Sequence, residues 1–203
     1  MVEQGFDQQK MERARERRVA FVAAIPVTLR EAEDRLPKVV AELNASARSK
    51  LQKIYAIADE LSKVREPFVA CKDGCASCCH MNVSLTAAEA DRLGQAIGRR
   101  PATLSRTIKR SNDHFTGQPC PFLDAGHRCS IYVHRPLACR KHSSFFEDDA
   151  ACRPDLMNDL EVPLLNFTGL DVALFRASDE KSDPVLGDIR DFFPGPATLS
   201  HER

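Results

Sequence analysis

Four cysteines occupy one short loop of the 203-residue chain, CKDGCASCCH, which spans residues 71–80. The first three follow the spacing Cys71-x3-Cys75-x2-Cys78, and short spacings of this kind let a tight turn deliver several sulfur atoms to one metal ion. Gly74 favours such a turn, because a residue without a Cβ adopts left-handed backbone conformations at little cost. The loop is therefore a candidate metal-binding segment.

Further sulfur ligands come from later in the chain, which holds eight cysteines in total. Eight thiolates equal two complete four-coordinate sets, or one set and a second group of partly free thiols. The candidate metal ligands are Cys71, Cys75, Cys78, Cys79, Cys120, Cys129, Cys139 and Cys152.

The adjacent pair Cys78 and Cys79 constrains how these sulfur atoms are shared. Neighbouring side chains of an extended segment point to opposite sides. We therefore expect the two thiols to serve different centres, or one to be a ligand and the other a buried thiol; the sequence leaves both assignments open. His80 and His142 could replace a cysteine as nitrogen ligands, but eight sulfur atoms leave little need for them.

Cationic side chains are expected around such a centre, because four thiolates on zinc or on an iron–sulfur cluster leave a negative charge. Arg135 and Arg140 lie on either side of Cys139 in the sequence and are the candidate cofactor-binding residues. Their charge would lower thiolate pKa values and strengthen metal binding. The sequence singles out no catalytic residue.

Composition limits the classes of partner. The chain contains 29 Lys and Arg against 29 Asp and Glu, so no overall field attracts it to nucleic acid or to an anionic membrane. No stretch approaches the roughly 20 apolar residues of a membrane-spanning helix, and the N-terminal residues lack a signal-peptide core. We expect a cytoplasmic protein, in which reduced cysteines serve as metal ligands or redox groups rather than as disulfides.

The first segment, residues 1–66, is predicted to form N-terminal amphipathic helices. Its apolar residues recur at steps of three and four from Val22 to Leu43 and again from Leu51 to Leu61. Pro26 and Pro37 should divide it into two or three helices, and Thr28 with Glu31 could form a capping box after the first break. Any protein partner would bind through these helices.

Residues 67–155 are predicted to be a cysteine-cluster metal-binding domain, and residues 156–203 a C-terminal tail that packs on it. Thr86 and Glu89 predict a capping box that starts a helix ending at Gly98. A second short helix is expected over residues 102–115, and the run SIYV predicts a strand in a small hairpin. The predicted fold class is mainly α: a small α-rich domain with a loop-rich, metal-stapled cysteine core and one short β-hairpin.

Three motifs in this order, CKDGCASCC, VSLTAAEADRL and CPFLDAGHRCSIYVHRPLACR, closely resemble the YkgJ-like cysteine-cluster family, a zinc- or iron-chelating domain. The resemblance runs from about residue 68 to about residue 152. Besides seven cysteines, the matching positions are Leu85, Thr86, Glu89, Pro121, Ile131, Tyr132, Arg135, Pro136 and Arg140.

The resemblance implies a zinc or iron centre held by cysteines, with an iron–sulfur cluster as one form of it. Three functions are compatible with such a centre: a metal-binding protein whose centre is structural, an iron–sulfur oxidoreductase or electron-transfer protein, and a relative of protein methyltransferases. Zinc and iron both accept four thiolates, so donor type does not choose between them. The absence of ferredoxin spacing argues against a simple electron carrier, and the absence of a glycine-rich loop after a strand makes the methyltransferase the weakest candidate.

Overall fold

The protein is described here by a computed structural model, in which residues 8–153, 156, 165–178 and 184–195 are placed. These residues form seven α-helices and one two-stranded antiparallel sheet, which confirms the mainly α fold class. The helices are α1 (Gln8–Ala24), α2 (Val27–Glu42), α3 (Ala47–Arg65), α4 (Ala87–Ile97), α5 (Leu137–Lys141), α6 (Thr168–Ser178) and α7 (Ile189–Phe192), and the strands are β1 (Ser84–Thr86) and β2 (Leu186–Asp188). None of the helices in these ranges is both long enough and apolar enough to cross a bilayer.

The first three helices pack together with α6 around an apolar core. Its fully buried side chains include Phe21, Leu51 and Ile54. The apolar periodicity of the sequence therefore predicted the helices and most of their buried face. Val22 and Val39 of the predicted stripe are exposed, however, and the neighbouring Phe21 and Val40 are buried in their place. The sequence did not place α6 in this layer, although its segment was expected to pack on the rest of the chain.

Pro26 separates α1 from α2 as predicted, but the predicted break at Pro37 is wrong, because α2 continues through it. A proline in a helix leaves the carbonyl of the residue four positions earlier without its donor, here Glu33. That carbonyl faces Gly169 of α6, where an added Cβ would lie only 2.2 Å from the oxygen. Close approach of a second helix thus covers the site of the missing hydrogen bond.

Two further local predictions are wrong, one for a helix cap and one for a whole helix. Thr28 and Glu31 form no capping box, because Pro26 is the N-cap residue of α2 and provides no side-chain cap. No α-helix forms over residues 102–115 either. Backbone donors of this segment instead bond the C-terminal part of the chain, from Ala102 N to Phe192 O at 2.7 Å and from Ile108 N to Leu186 O at 2.9 Å.

The small sheet does not arise from the predicted hairpin. Strand β1 pairs with β2, with Leu85 opposite Gly187, so the two strands come from distant parts of the sequence. The run SIYV is not a strand: its Tyr132 begins a short 3-10 turn that ends at His134. Only an isolated antiparallel bridge between Leu123 and Cys129 forms in this region of the described chain. Tertiary pairing with the tail therefore replaced the local pairing that the sequence suggested.

The division into residues 1–66, 67–155 and 156–203 stays a prediction. Within the described part of the last segment, α6 packs on α2 and α3, while β2 pairs with β1. The remainder of the segment lies outside the described residues.

The predicted capping box of α4 is present, and its glutamate does more than cap the helix. Thr86 Oγ1 accepts from Glu89 N at 3.2 Å, and Glu89 Oε2 accepts from Thr86 N at 3.1 Å. Glu89 Oε1 accepts from Tyr55 Oη of α3 and from Leu137 N at the start of α5, both at 2.8 Å. One buried carboxylate therefore joins α3 of the helical layer to α4 and to α5, the helix that carries Cys139. The helix ends at Gly98 in the left-handed conformation, as predicted.

Replacing Glu89 with alanine should destabilise the protein by about 3 kcal/mol, because buried donors on Tyr55, Thr86 and Leu137 lose their acceptor. Urea unfolding followed by circular dichroism measures this change. Glu60→Ala, on the exposed face of α3, is the control and should change stability by no more than about 0.5 kcal/mol. Equal effects of the two substitutions would contradict the role given to Glu89.

Stability should also depend on pH through Glu89, since burial raises its pKa above the ordinary value of 4.5. A group whose pKa is higher in the folded state than in the unfolded state stabilises the fold fully at pH values below its unfolded-state pKa. This stabilisation is lost as the pH rises through the folded-state pKa. The difference in unfolding free energy between the wild type and Glu89→Gln should therefore shift against the wild type as the pH rises from about 4 to about 8. A difference that stays constant over this range would show that Glu89 does not titrate as described.

Candidate metal centre

The cysteine loop is shaped by backbone hydrogen bonds. Gly74 adopts φ +90°, the left-handed conformation expected of it, and Cys75 N donates to Lys72 O at 3.1 Å to close the turn. A short 3-10 helix, Ser77–His80, then carries the adjacent cysteines, with Cys79 N bonded to Ala76 O at 2.8 Å. Local turns therefore bring the thiols of this loop into one region.

The second cysteine segment attaches to the loop through its backbone. Cys120 N donates to Cys79 O at 2.7 Å, and the bridge between Leu123 and Cys129 folds the chain back on itself. Phe122, buried against Phe193 with ring centroids 5.1 Å apart, anchors this turn in a second apolar cluster. Cysteines far apart in sequence are thus placed side by side.

The remaining cysteines are carried by short helical turns. Cys139 lies in α5, whose first backbone donor is held by Glu89, and Cys152 ends the 3-10 turn Ala150–Cys152. The loop is also tied to this part of the chain, because Ser144 N donates to Cys71 Sγ at 3.2 Å.

All eight cysteines are free thiols, and they interact with one another across the three segments. Cys79 is hydrogen-bonded to Cys78 and to Cys129. Cys139 interacts electrostatically with thiols of the loop and of the second segment. Cys152 interacts with three loop thiols, those of Cys71, Cys75 and Cys78. The structure therefore brings every candidate ligand predicted from the sequence into one cysteine cluster.

Residues 70–155 match the model of the CxxCxxCC family, which is described as a putative zinc- or iron-chelating domain. This segment, which is less than half of the chain, is similar to that domain. The match confirms the resemblance seen in the motifs and supports metal binding without choosing between zinc and iron. Neither a curated protein nor a solved structure matches the chain.

Two thiols of the cysteine cluster are more acidic than usual. The hydrogen bond with Cys79 and the charge of Arg135 lower the pKa of Cys78 to about 7, against the opposing effect of burial. The same two interactions lower the pKa of Cys129 to about 7. Cys79 keeps its proton, since its hydrogen bonds to these two thiols raise its pKa far above the usual value.

The other perturbed thiols are held in the protonated state by burial. Burial raises the pKa of Cys120 to about 11 and that of Cys152 to about 12. Burial and the neighbouring thiols raise the pKa of Cys139 well above its ordinary value, and burial raises that of Cys71. In the absence of metal, protons therefore limit the negative charge of the cluster.

The two arginines predicted to support the centre have different surroundings. The charge of Arg135 lowers the pKa of Cys78 and Cys129, so this residue lies beside the cluster. Arg140 forms an ion pair with Asp59, donates to the carbonyls of Val133 and Arg135 at 2.8 Å, and lies over the Tyr55 ring. Its described contacts thus fix the backbone that carries Arg135 rather than a thiol. A direct role of Arg140 in binding the cofactor stays a prediction.

Arg65, at the end of α3, is a third cation that the sequence did not indicate. Its side chain is only 7% exposed and donates to Arg140 O at 2.8 Å and to Lys141 O at 2.9 Å. It opposes the rise in the Cys71 pKa, and its buried Nε has no hydrogen-bond partner in the described part of the chain. Arg65 lies outside the cysteine motifs, so no sequence signal connects it with the cluster.

The donor set fits a thiophilic metal such as zinc or iron. Among the described residues, no three His, Cys, Asp or Glu side chains already stand in the arrangement of a metal site. The fit rests on chemistry: eight free thiols that interact electrostatically across the three segments, cationic neighbours, and a buried Arg65 Nε that could donate to a metal-bound sulfur. Metal binding would release the protons that keep these thiols neutral, and the positive charge of the metal would then balance the thiolates.

Thiol reactivity tests the electrostatics of the cluster. In metal-free, reduced protein at about pH 7.5, Cys129 should be alkylated by iodoacetamide more than tenfold faster than Cys120, because thiolate is the reacting species. Mass spectrometry of peptides after timed quenching measures both rates. Reloading with metal should protect both residues, and similar rates in the metal-free protein would contradict the assigned pKa order.

Proposed function

We propose that the cysteine cluster binds zinc or iron through two sets of four cysteines, and that the bound metal holds the cysteine segments together. The observation that carries the proposal is the contact of Cys79 in the loop with Cys129 in the second segment. Thiols separated by this much sequence come together without forming disulfides. Metal coordination is the chemistry that uses such an arrangement in reduced form.

The pattern of thiol interactions supports a division of the cluster into two sets. Cys152 interacts with three loop thiols, which gives a first set of Cys71, Cys75, Cys78 and Cys152. Interactions around Cys139 and Cys79 give a second set of Cys79, Cys120, Cys129 and Cys139. The adjacent pair then serves two centres, the first of the two alternatives left open by the sequence. Cys78 also interacts with members of the second set, so it lies at the boundary between the two.

A structural role for the metal is supported by the surroundings of the cysteines. Within the described residues, the three cysteine segments are built from turns and very short helices. Several cysteines are part of the second apolar cluster, where they pack with Phe122, Ile131 and Phe193. A bound metal can contribute on the order of 10 kcal/mol to the folding of such a region.

One observation favours a second candidate, an iron–sulfur oxidoreductase. A cavity of about 310 Å³ is bordered by Cys71 and Cys139, so a small molecule could reach the edge of the cluster. An iron–sulfur cluster bound there would supply one-electron chemistry. No observation in the described structure favours the methyltransferase alternative over these two.

Purification without oxygen, followed by metal analysis and absorption spectroscopy, tests the proposal and separates its two forms. A brown protein that absorbs near ~400 nm and bleaches with dithionite contains an iron–sulfur cluster. A colourless protein with stoichiometric zinc has the structural centre. Protein that folds fully and contains neither metal after reconstitution would overturn the proposal.

Single substitutions test the two sets. Cys152→Ala and Cys120→Ala should each lower metal content by about half and lower the melting temperature, because each removes a ligand from one set only. Inductively coupled plasma mass spectrometry gives the metal content. Ser77→Ala is the control, since it removes a side chain from the same loop, bonded to Asp149 at 2.9 Å, without removing a thiol. Full metal content in both cysteine variants would exclude the assignment.

A further inference from the structure

The cavity of about 310 Å³ between α3 and the cysteine cluster is larger than metal binding requires. A single water in liquid occupies about 30 Å³, and small-molecule sites begin near roughly 300 Å³. Non-ligand residues form much of its wall, including Ser62, Val69 and Tyr132. The space therefore has the size of a site for a small organic molecule beside the cluster.

We propose that this cavity binds a small molecule through a carboxylate or phosphate group, with Arg135 as the main anion-binding residue. The proposal goes beyond metal binding, because a structural or redox centre held by cysteines needs no separate anion site. The shared chemistry is an oxyanion whose oxygens accept paired hydrogen bonds from a planar guanidinium.

Arg135 is placed to bind such a group. Its Nε donates to Tyr132 O at 2.9 Å, and its guanidinium carbon lies 3.6 Å from the centre of the Tyr132 ring, so the side chain is held in one orientation. No carboxylate of the described chain forms an ion pair with it, and its terminal nitrogens have no described hydrogen bond. A rigid, unpaired guanidinium at a cavity wall is a preorganised anion site.

The rest of the cavity wall adds positive charge. Arg65 lines it as a buried cation whose described hydrogen bonds go to carbonyls and to a hydroxyl, and Lys72 lines it from the exposed side of the loop. Of the two acidic residues on the wall, Asp73 pairs with Arg128 at 3.7 Å and Glu66 is the other. The positive charges of Arg65, Lys72 and Arg135 therefore exceed the acidic charge that remains available to them.

The thiolates of the cluster are a second partner for these cations. Arg135 acts on Cys78, Cys129 and Cys139, and Cys139 borders the cavity together with Cys71. An oxyanion held by Arg135 would leave the remainder of the molecule between the Tyr132 ring and these two thiols. The ligand would then lie against the edge of the metal centre.

Isothermal titration calorimetry on the metal-loaded protein tests the inference with two probes, inorganic phosphate and oxalate. We expect at least one of them to bind with a dissociation constant below about 1 mM, and Arg135→Gln to weaken that binding about tenfold or more. The matched control is Arg106→Gln, which removes the same charge from an exposed position outside the cavity and should leave binding unchanged. Binding of phosphate alone or of oxalate alone identifies which oxyanion the site takes.

The inference is overturned if neither probe binds when its concentration is about ten times the expected dissociation constant. It is also overturned if the Arg135→Gln variant binds the probe as tightly as the Arg106→Gln variant does. Metal content is measured on the same samples, so a loss of metal reports on the proposed function and a loss of anion binding at full metal content reports on the cavity. Should Arg135→Gln lose metal, Lys72→Gln decides the question. Because Lys72 is exposed, its substitution should preserve the fold and weaken binding about threefold, and unchanged binding would count against the site.

Discussion

Crowded thiols cannot all lose their protons unless positive charge replaces them. In this protein eight cysteines meet in one region, and the pKa of Cys139 is raised well above its ordinary value by burial and by the charge that neighbouring thiols would carry. Hydrogen bonds with Cys79 stabilise thiolates on Cys78 and Cys129, with Arg135 as the nearby cation. Arg65 and Arg135 therefore matter to the cluster, because each places a positive charge near a thiol.

The helical layer contributes to the cluster through a few buried polar side chains. Glu89 accepts hydrogen bonds from Tyr55 of α3 and from the first donor of α5, which carries Cys139. Arg65 extends from the end of α3 to the carbonyls that follow Cys139, and Arg140 reaches back from α5 to Asp59 of α3. These contacts fix α5 against the helical layer. The N-terminal helices therefore help to support the cysteine cluster, although the family match begins only at residue 70.

A centre supported in this way can be structural or reactive, and the two differ in what surrounds it. A structural zinc site is closed, whereas a reactive centre keeps an accessible side. Here a cavity with two arginines in its wall borders Cys71 and Cys139, a further cavity borders Cys78 and Cys139, and another borders Cys75. The cluster is thus accessible from more than one side.

The sequence by itself determined the elements whose causes are local. Helical periodicity and Pro26 predicted the N-terminal helices, Thr86 with Glu89 predicted the cap of α4, and the cysteine spacing predicted the turn at Gly74. Tertiary contacts decided what local propensity could not: α2 continues through Pro37 where α6 packs closely against it at Gly169, and β1 pairs with β2 from the distant tail instead of a hairpin partner. The same holds for the site, since the identity of the thiols was readable from residue type and spacing. The grouping of the thiols depends on which distant segments lie side by side. The roles of Arg65 and Arg140 and the presence of the cavity depend on the same arrangement, which only long-range packing and hydrogen bonding determine.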